Sequence, residues 1–179
     1  MTQETTPSPL TQQFVERLQE LDRGDLAILR RNAGLSLNES RKAVGLFYRL
    51  MPVHLGPQEE IYFLLATLYP LNDGQAPNGD FGSSFAQLRM KRESESLDRR
   101  MNILLDSDFD WDAQGRLKGG ELGFRLRQAV KLLASEDIGV NWVVLLEDLL
   151  RWSHPDKYIQ KRWARSYYGT VNRQAEKEA

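Results

Sequence analysis

Apolar residues recur at steps of three and four along most of the chain, the spacing that puts them on one side of an α-helix. Phe14, Leu18 and Leu21 predict a first helix ending near Gly24, with Asp25 placed to cap a short second helix carrying Leu26 and Leu29. Ser36 followed by Glu39 has the form of a capping box, in which two side chains satisfy backbone N–H groups left free at a helix start. The helix it announces presents Val44, Phe47, Leu50 and Met51 and stops at Pro52. Pro57 suits the first turn of the next, because it has no N–H to lose. Ile61, Leu64, Leu65 and Leu68 then give a wide apolar face up to Tyr69-Pro70, the expected core of the N-terminal half.

Turn formers between Asn72 and Gly82 predict a long exposed loop, followed by a short helix beginning with Phe85 and Leu88 and a second with Leu97, Met101, Leu104 and Leu105. A further loop is expected over 106–120. Beyond it, Leu122, Leu126, Ala129, Val130 and Leu133 form one stripe, and Trp142, Leu145, Leu146, Leu149 and Trp152 another, with Asn141 as its cap. Ser153, Pro155 and Asp156 precede a last helix bearing Ile159, Trp163 and Tyr167. No alternating strand and no internal repeat is recognisable. The predicted fold is all-α, with about eight or nine helices in two packed subbundles. Its expected divisions are a disordered N-terminus (1–10), an N-terminal helical subdomain (11–106), a connecting loop (107–120), a C-terminal helical subdomain (121–169) and a frayed tail (170–179).

Composition narrows the chemistry. The 179 residues include no cysteine and two histidines, which removes disulfides, thiolate nucleophiles and Cys-ligated zinc. The longest apolar run, 61–71, is about half of the roughly 20 residues a membrane span needs. With no basic leader or apolar h-region at the start, the expected compartment is the cytoplasm. His54 and His154 lie at helix junctions beside Pro52 and Pro155, without metal-ligand spacing. No phosphate-cradling loop of the G-x-x-x-x-G-K-[ST] kind occurs, and the glycines after Lys118 follow no strand. Asp106, Asp108 and Asp110 begin like a calcium loop, but Trp111 stands where the sharp turn needs Gly and Leu117 where a bidentate Glu belongs. Neither a catalytic group, a metal site nor a cofactor is predicted.

The net charge of -1 conceals an uneven distribution. From 151 to 173, Arg151, Lys157, Lys161, Arg162, Arg165 and Arg173 face a single acid, Asp156, whereas Asp106, Asp108, Asp110 and Asp112 form an acidic run. Lys157, Lys161 and Arg165 repeat every four residues, and Ile159, Trp163 and Tyr167 repeat with the same step two residues later. Two residues correspond to about 200° of helix rotation, so these cations point away from the core. Arg162 flanks them, and no carboxylate lies four residues away to compensate. Arg30-Arg31 and Arg99-Arg100 are further clusters; Arg89, Lys91 and Arg92 are diluted by Glu93, Glu95 and Asp98. Such a stripe is either a solvated face or a surface for phosphates. Three of the four tryptophans occupy apolar helical positions and read as core, with loop-borne Trp111 the exception.

The order of features carries a resemblance: Arg30-Arg31, then 47–52 (FYRLMP), 63–69 (FLLATLY), Asp98-Arg99-Arg100, 126–130 (LRQAV), Trp142 to Trp152, 159–165 (IQKRWAR) and Tyr167-Tyr168. Over about residues 11–169 the chain resembles the CasB family, the small subunit of the type I-E CRISPR surveillance complex called Cascade. The resemblance implies an all-helical, non-catalytic protein present as two copies. Its partners are CRISPR RNA, the target and displaced DNA strands and other Cascade subunits, and it binds nucleic acid without sequence preference and stabilises the R-loop in antiviral defence. On matching positions it suggests Arg30, Arg31, Arg99, Arg100, Lys157, Lys161 and Arg165 as the binding surface, to which the charge pattern adds Arg162. The alternative left open by charge alone is an architectural adaptor docking acidic protein partners, since carboxylates and phosphates both select Arg.

Overall fold

The computed structural model describes residues 7–51, 53–118 and 120–178; Pro52, Gly119, Ala179 and most of the segment expected to be disordered lie outside them. Nine α-helices occur among the described residues: α1 (Pro9–Gln19), α2 (Arg23–Arg31), α3 (Val44–Leu50), α4 (Glu59–Leu68), α5 (Phe81–Arg92), α6 (Ser96–Asp106), α7 (Glu121–Ala134), α8 (Trp142–Leu150) and α9 (Tyr158–Glu178). The fold is all-α apart from one small antiparallel hairpin, β1 (Asp110–Trp111) with β2 (Leu117–Lys118), which the sequence pattern does not announce. Asp112 closes it by accepting the N–H groups of Gln114 and Arg116 at 2.9 Å each.

Several boundaries differ from expectation for local reasons. The cap of α2 is Asp22, whose carboxylate accepts the Asp25 N–H. Ser36 and Glu39 do bond each other, but Lys42 adopts a left-handed φ of 64° and breaks the chain's course, so α3 starts only at Val44. Asp80 caps α5 through the Ser83 N–H, which draws Phe81 and Gly82 out of the predicted loop. The remainder of that loop is stitched to 138–140 by the Gln75–Val140 bridge and by Asn72 Nδ2 donating to the Ile138 carbonyl. Ser8 caps α1, so Pro9 and Leu10 are helical, and the tail expected to fray continues α9 to Glu178, with Val171 resting on the core. Asn141 caps α8 as predicted, accepting from the Val144 N–H.

All of α4 is buried, so its apolar positions cover every side rather than one stripe. It packs on α2, α7 and α8, while α1 packs on α8 and α5 lies along α9. One apolar cluster runs from Phe14 to Tyr167, so the helices on either side of 107–120 pack on each other through a shared core. Trp142, Trp152 and Trp163 are all within it. The α5–α9 approach depends on Gly82: a Cβ there would lie 2.3 Å from the Trp163 carbonyl oxygen. With no side chain in the way, Phe81 packs on Trp163 at 5.1 Å and Phe85 on Tyr167 at 6.0 Å between ring centroids. This packing fixes which faces of α6, α7 and α9 remain outside.

Candidate nucleic-acid interface

Lysines and arginines divide into two populations. One is neutralised. Arg89 pairs with Asp98 at 3.2 Å, Arg92 with Glu136 at 2.8 Å, Arg116 with Asp112 at 2.8 Å and Arg125 with Glu121 at 3.0 Å. Lys91 also reaches Glu136, Arg49 pairs with Asp25 and Arg151 with Glu147. Arg162 belongs here too, contrary to its predicted place in an uncompensated stripe: its guanidinium bonds Asp148 and stands 3.5 Å from Asp80. Those carboxylates come from α8 and from the cap of α5, so counting charges four residues away on the same helix misses them.

The pairing around Arg162 is a buried structural device. Asp148 is only 2% exposed and its second oxygen accepts the Trp163 indole N–H at 2.7 Å. Burial would lower the Arg162 pKa, but the hydrogen bond and charge of Asp148 outweigh it and hold the group charged above its usual range. Next to it, burial would raise the Glu147 carboxyl; hydrogen bonds from Thr11 and from the Ser8 N–H, together with Arg151, outweigh this and hold it below the usual value. Asp80, Glu147, Asp148, Arg151 and Arg162 line a cleft of about 530 Å³ between α5, α8 and α9, with Arg165 at its edge.

The second population has no carboxylate partner among the described residues. It contains the predicted Arg30, Arg31, Arg99, Arg100, Lys157, Lys161 and Arg165, all exposed, and also the exposed Arg23, Arg41, Lys42, Lys118, Lys131, Arg173 and Lys177. Lys161 and Arg165 project from α9. Lys157 does not sit within the helix: it precedes α9 with a left-handed φ of 48°, and its carbonyl accepts the Lys161 N–H at 3.0 Å. On α6, Arg99 shares a face with Asn102, three residues on. Asn102 accepts the Tyr168 hydroxyl at 2.8 Å, and Tyr168 lies on the same face of α9 as Arg165 and Lys161. This seam, backed by Tyr167 donating to Asp98 at 2.6 Å, brings Arg99 and the α9 cations onto one surface. Arg100 turns toward α7, where it lines a small pocket with Arg125 and Gln128.

Arg30 and Arg31 are not part of that seam. They end α2, which packs on α4 and on the turn at Tyr69–Leu71. Past them, Gly34 lies against Arg127 of α7, so α7 is the element between the α2 cations and those of α6. Arg127 has no carboxylate partner among the described residues, and its buried Nε has no hydrogen-bond partner. It was not among the predicted site residues. A signal was present, since Arg127 falls outside the stripe of Leu122, Leu126, Ala129, Val130 and Leu133 and has Lys131 four residues on.

Exposed cations of this kind can neutralise anionic groups, phosphates or carboxylates alike. Histidines serve local geometry: His154 Nδ1 accepts the Asp156 N–H, and His54 Nδ1 bonds Glu59 at 2.9 Å. Among the described residues no group of three or more acidic, His or Cys side chains could hold a metal ion, and no helix is long and apolar enough to cross a membrane.

The family model of CRISPR-associated protein Cse2 matches residues 25–168. The chain belongs to the Cse2 family. A CRISPR-associated protein Cse2 from Thermus thermophilus is 36% identical over 123 residues, which are 68% of this chain and 63% of that relative's length. The crystal structure of M. ruber CasB superposes with a TM-score of 0.72 at 29% identity, covering 95% of this chain and 98% of that one. A chain of a CRISPR RNA-guided surveillance complex in a pre-nicking state gives a TM-score of 0.74 at 20% identity over 95% and 98% of the two chains, a likeness of fold alone. The Cse2-family fold thus accounts for the helical core on which both cation populations are mounted.

Proposed function

We propose that this chain is the small, non-catalytic subunit of a CRISPR RNA-guided Cascade complex in the cytoplasm, where it holds nucleic-acid strands by their phosphates and stabilises the R-loop in antiviral defence. The observation that carries the reading is the sorting of cations. Arg30, Arg31, Arg99, Arg100, Lys157, Lys161 and Arg165 are left exposed without an ion pair to a described carboxylate, while Arg151 and Arg162 inside the α5–α8–α9 cleft are matched; Arg165 stands at the edge of that cleft. Cations without partners gain most from a polyanion, because binding releases its condensed counterions. Such contacts carry no base information; guide RNA supplies sequence by pairing, and this subunit supplies backbone electrostatics. Partners are CRISPR RNA, the target and displaced DNA strands, other Cascade subunits and a second copy of the chain.

The test replaces Arg99 and Arg100 with Ala in the assembled complex. R-loop lifetime shortens, and the loss is the same for different target sequences. An unchanged lifetime, with thermal stability also unchanged, removes these residues from the interface. Competition separates the reading from an adaptor that docks acidic proteins: single-stranded DNA displaces a bound strand in the first case and does nothing to a protein–protein contact in the second.

A further inference from the structure

On α7 one residue breaks the amphipathic pattern. Phe124 lies two positions from both Leu122 and Leu126, about 200° of rotation from each, and is therefore opposite the apolar stripe; it is 51% exposed. Large exposed apolar side chains that stand alone need no explanation, but Phe124 does not stand alone. It borders a groove of about 140 Å³ whose other walls include Gly34, Leu35, Glu60, Leu64 and Arg127. Leu35 is itself 41% exposed. The Arg125 guanidinium carbon sits 5.5 Å from the centre of the Phe124 ring, held by Glu121. Arg127 forms another wall, and Arg30 and Arg31 end the helix that leads into Gly34.

The chemistry of the groove differs from that of its surroundings. Glu60, buried and bonded to the Leu37 N–H at 2.9 Å, presents a carboxylate to the interior. With Glu60 and Arg127 as its charged walls, the groove interior carries no net positive charge to draw a phosphate in, and its apolar walls suit a neutral flat ring. The cations around it suit the phosphates on either side of such a ring. An exposed aromatic ring among arginines, beside a groove with an apolar wall, is the arrangement on which single-stranded nucleic acids stack their bases.

We infer that Phe124 is a stacking platform for one unpaired base of a bound strand, the base entering the groove between Phe124 and Leu35 while Arg127 and the α2 cations hold its flanking phosphates. This rests on the nucleic-acid reading above and adds to it a contact with a base face, which is tolerant of sequence. Sequence-independent binding is retained, because every base offers a π-face.

The test compares a labelled oligothymidine with the same phosphodiester chain made abasic throughout, using the full chain and its Phe124→Leu and Phe124→Trp variants. The expected result is that the native chain prefers oligothymidine by about tenfold. Phe124→Leu loses that preference while keeping the affinity for the abasic strand and the salt dependence. Phe124→Trp keeps the preference, and its fluorescence is quenched by oligothymidine but not by the abasic strand. Equal native affinity for the two strands overturns the stacking role and leaves the phosphate reading standing, as does a Phe124→Leu loss that is equal on both. If the native chain binds neither strand, the phosphate reading falls and the stacking role with it. If an aromatic peptide is captured by the native chain and oligothymidine shows no preference, the groove is a protein-docking site and the inference is wrong.

Discussion

Lys161 and Arg162 are neighbours on α9, yet they belong to two regions with opposite electrostatics. Arg162 reaches into the α5–α8–α9 cleft, where Asp148 and Asp80 take up its charge. Lys161 stands on the outer surface with, across the Tyr168–Asn102 seam, Arg99, and Arg165 lies between the two regions at the edge of the cleft; none of these three is ion-paired to a described carboxylate. A 100° step of helix rotation separates a cation that holds the fold from one that is available to a partner. Charge along a sequence is thus a poor guide to available charge; what counts is whether another element delivers a carboxylate to the same place. The cleft is balanced, so removing one of its members exposes an uncompensated partner. The outer face has no partner to strand, so removing its members costs binding and little stability.

The difference between the two regions is largest at Arg162. Arg162→Ala strands the buried Asp148 and is expected to lower unfolding free energy by about 3 kcal/mol in chemical denaturation. A loss below about 0.5 kcal/mol would put Arg162 with the outer face after all. Next comes Glu147, which ties the start of α1 to α8. Glu147→Gln is expected to cost about 1.5 kcal/mol at neutral pH, and the cost has a pH signature. The folded carboxyl titrates below the ordinary 4.5, so its contribution is fully present above that value and is lost as pH falls through the lower folded pKa. The gap in Tm between native and Glu147→Gln should be flat above about pH 5 and close on acidification; a gap that widens in acid would contradict the account. The smallest effect is at the seam. Tyr168→Phe removes one exposed hydrogen bond, worth about 0.5 kcal/mol, and thermal unfolding should register hardly any change.

Much of the helical architecture was legible because it rests on local rules. The stripe of Leu122 to Leu133, the Trp142 to Trp152 run and the Asn141 cap form as their spacing predicts. Errors arose where a local rule had two solutions or a distant element intervened. Asp22 and Asp25 are both acceptable caps, and the chain uses Asp22. Ser36 and Glu39 make their mutual bonds, but the left-handed turn at Lys42 delays the helix. The polar tail stays helical because Tyr168 and Val171 find apolar support in the core. At the candidate site the outward cations of α9 followed from helix geometry, whereas the capture of Arg162 depends on carboxylates brought by α5 and α8. Phe124 is not singled out by the sequence pattern, and its meaning required the groove that the α2–α3 connection builds opposite it.

The most direct test of the account measures the salt dependence of single-stranded DNA binding, by anisotropy, for the native chain and for the variant with Arg99, Arg100, Lys161 and Arg165 all changed to Ala. Binding should weaken for every sequence tried, and the log–log salt slope should become shallower by about three units if each of the four residues neutralises one phosphate of a single strand, while Tm stays within a few degrees. An unchanged slope, or a loss of binding matched by a loss of stability, would contradict the division between a balanced cleft and a surface held free for phosphates.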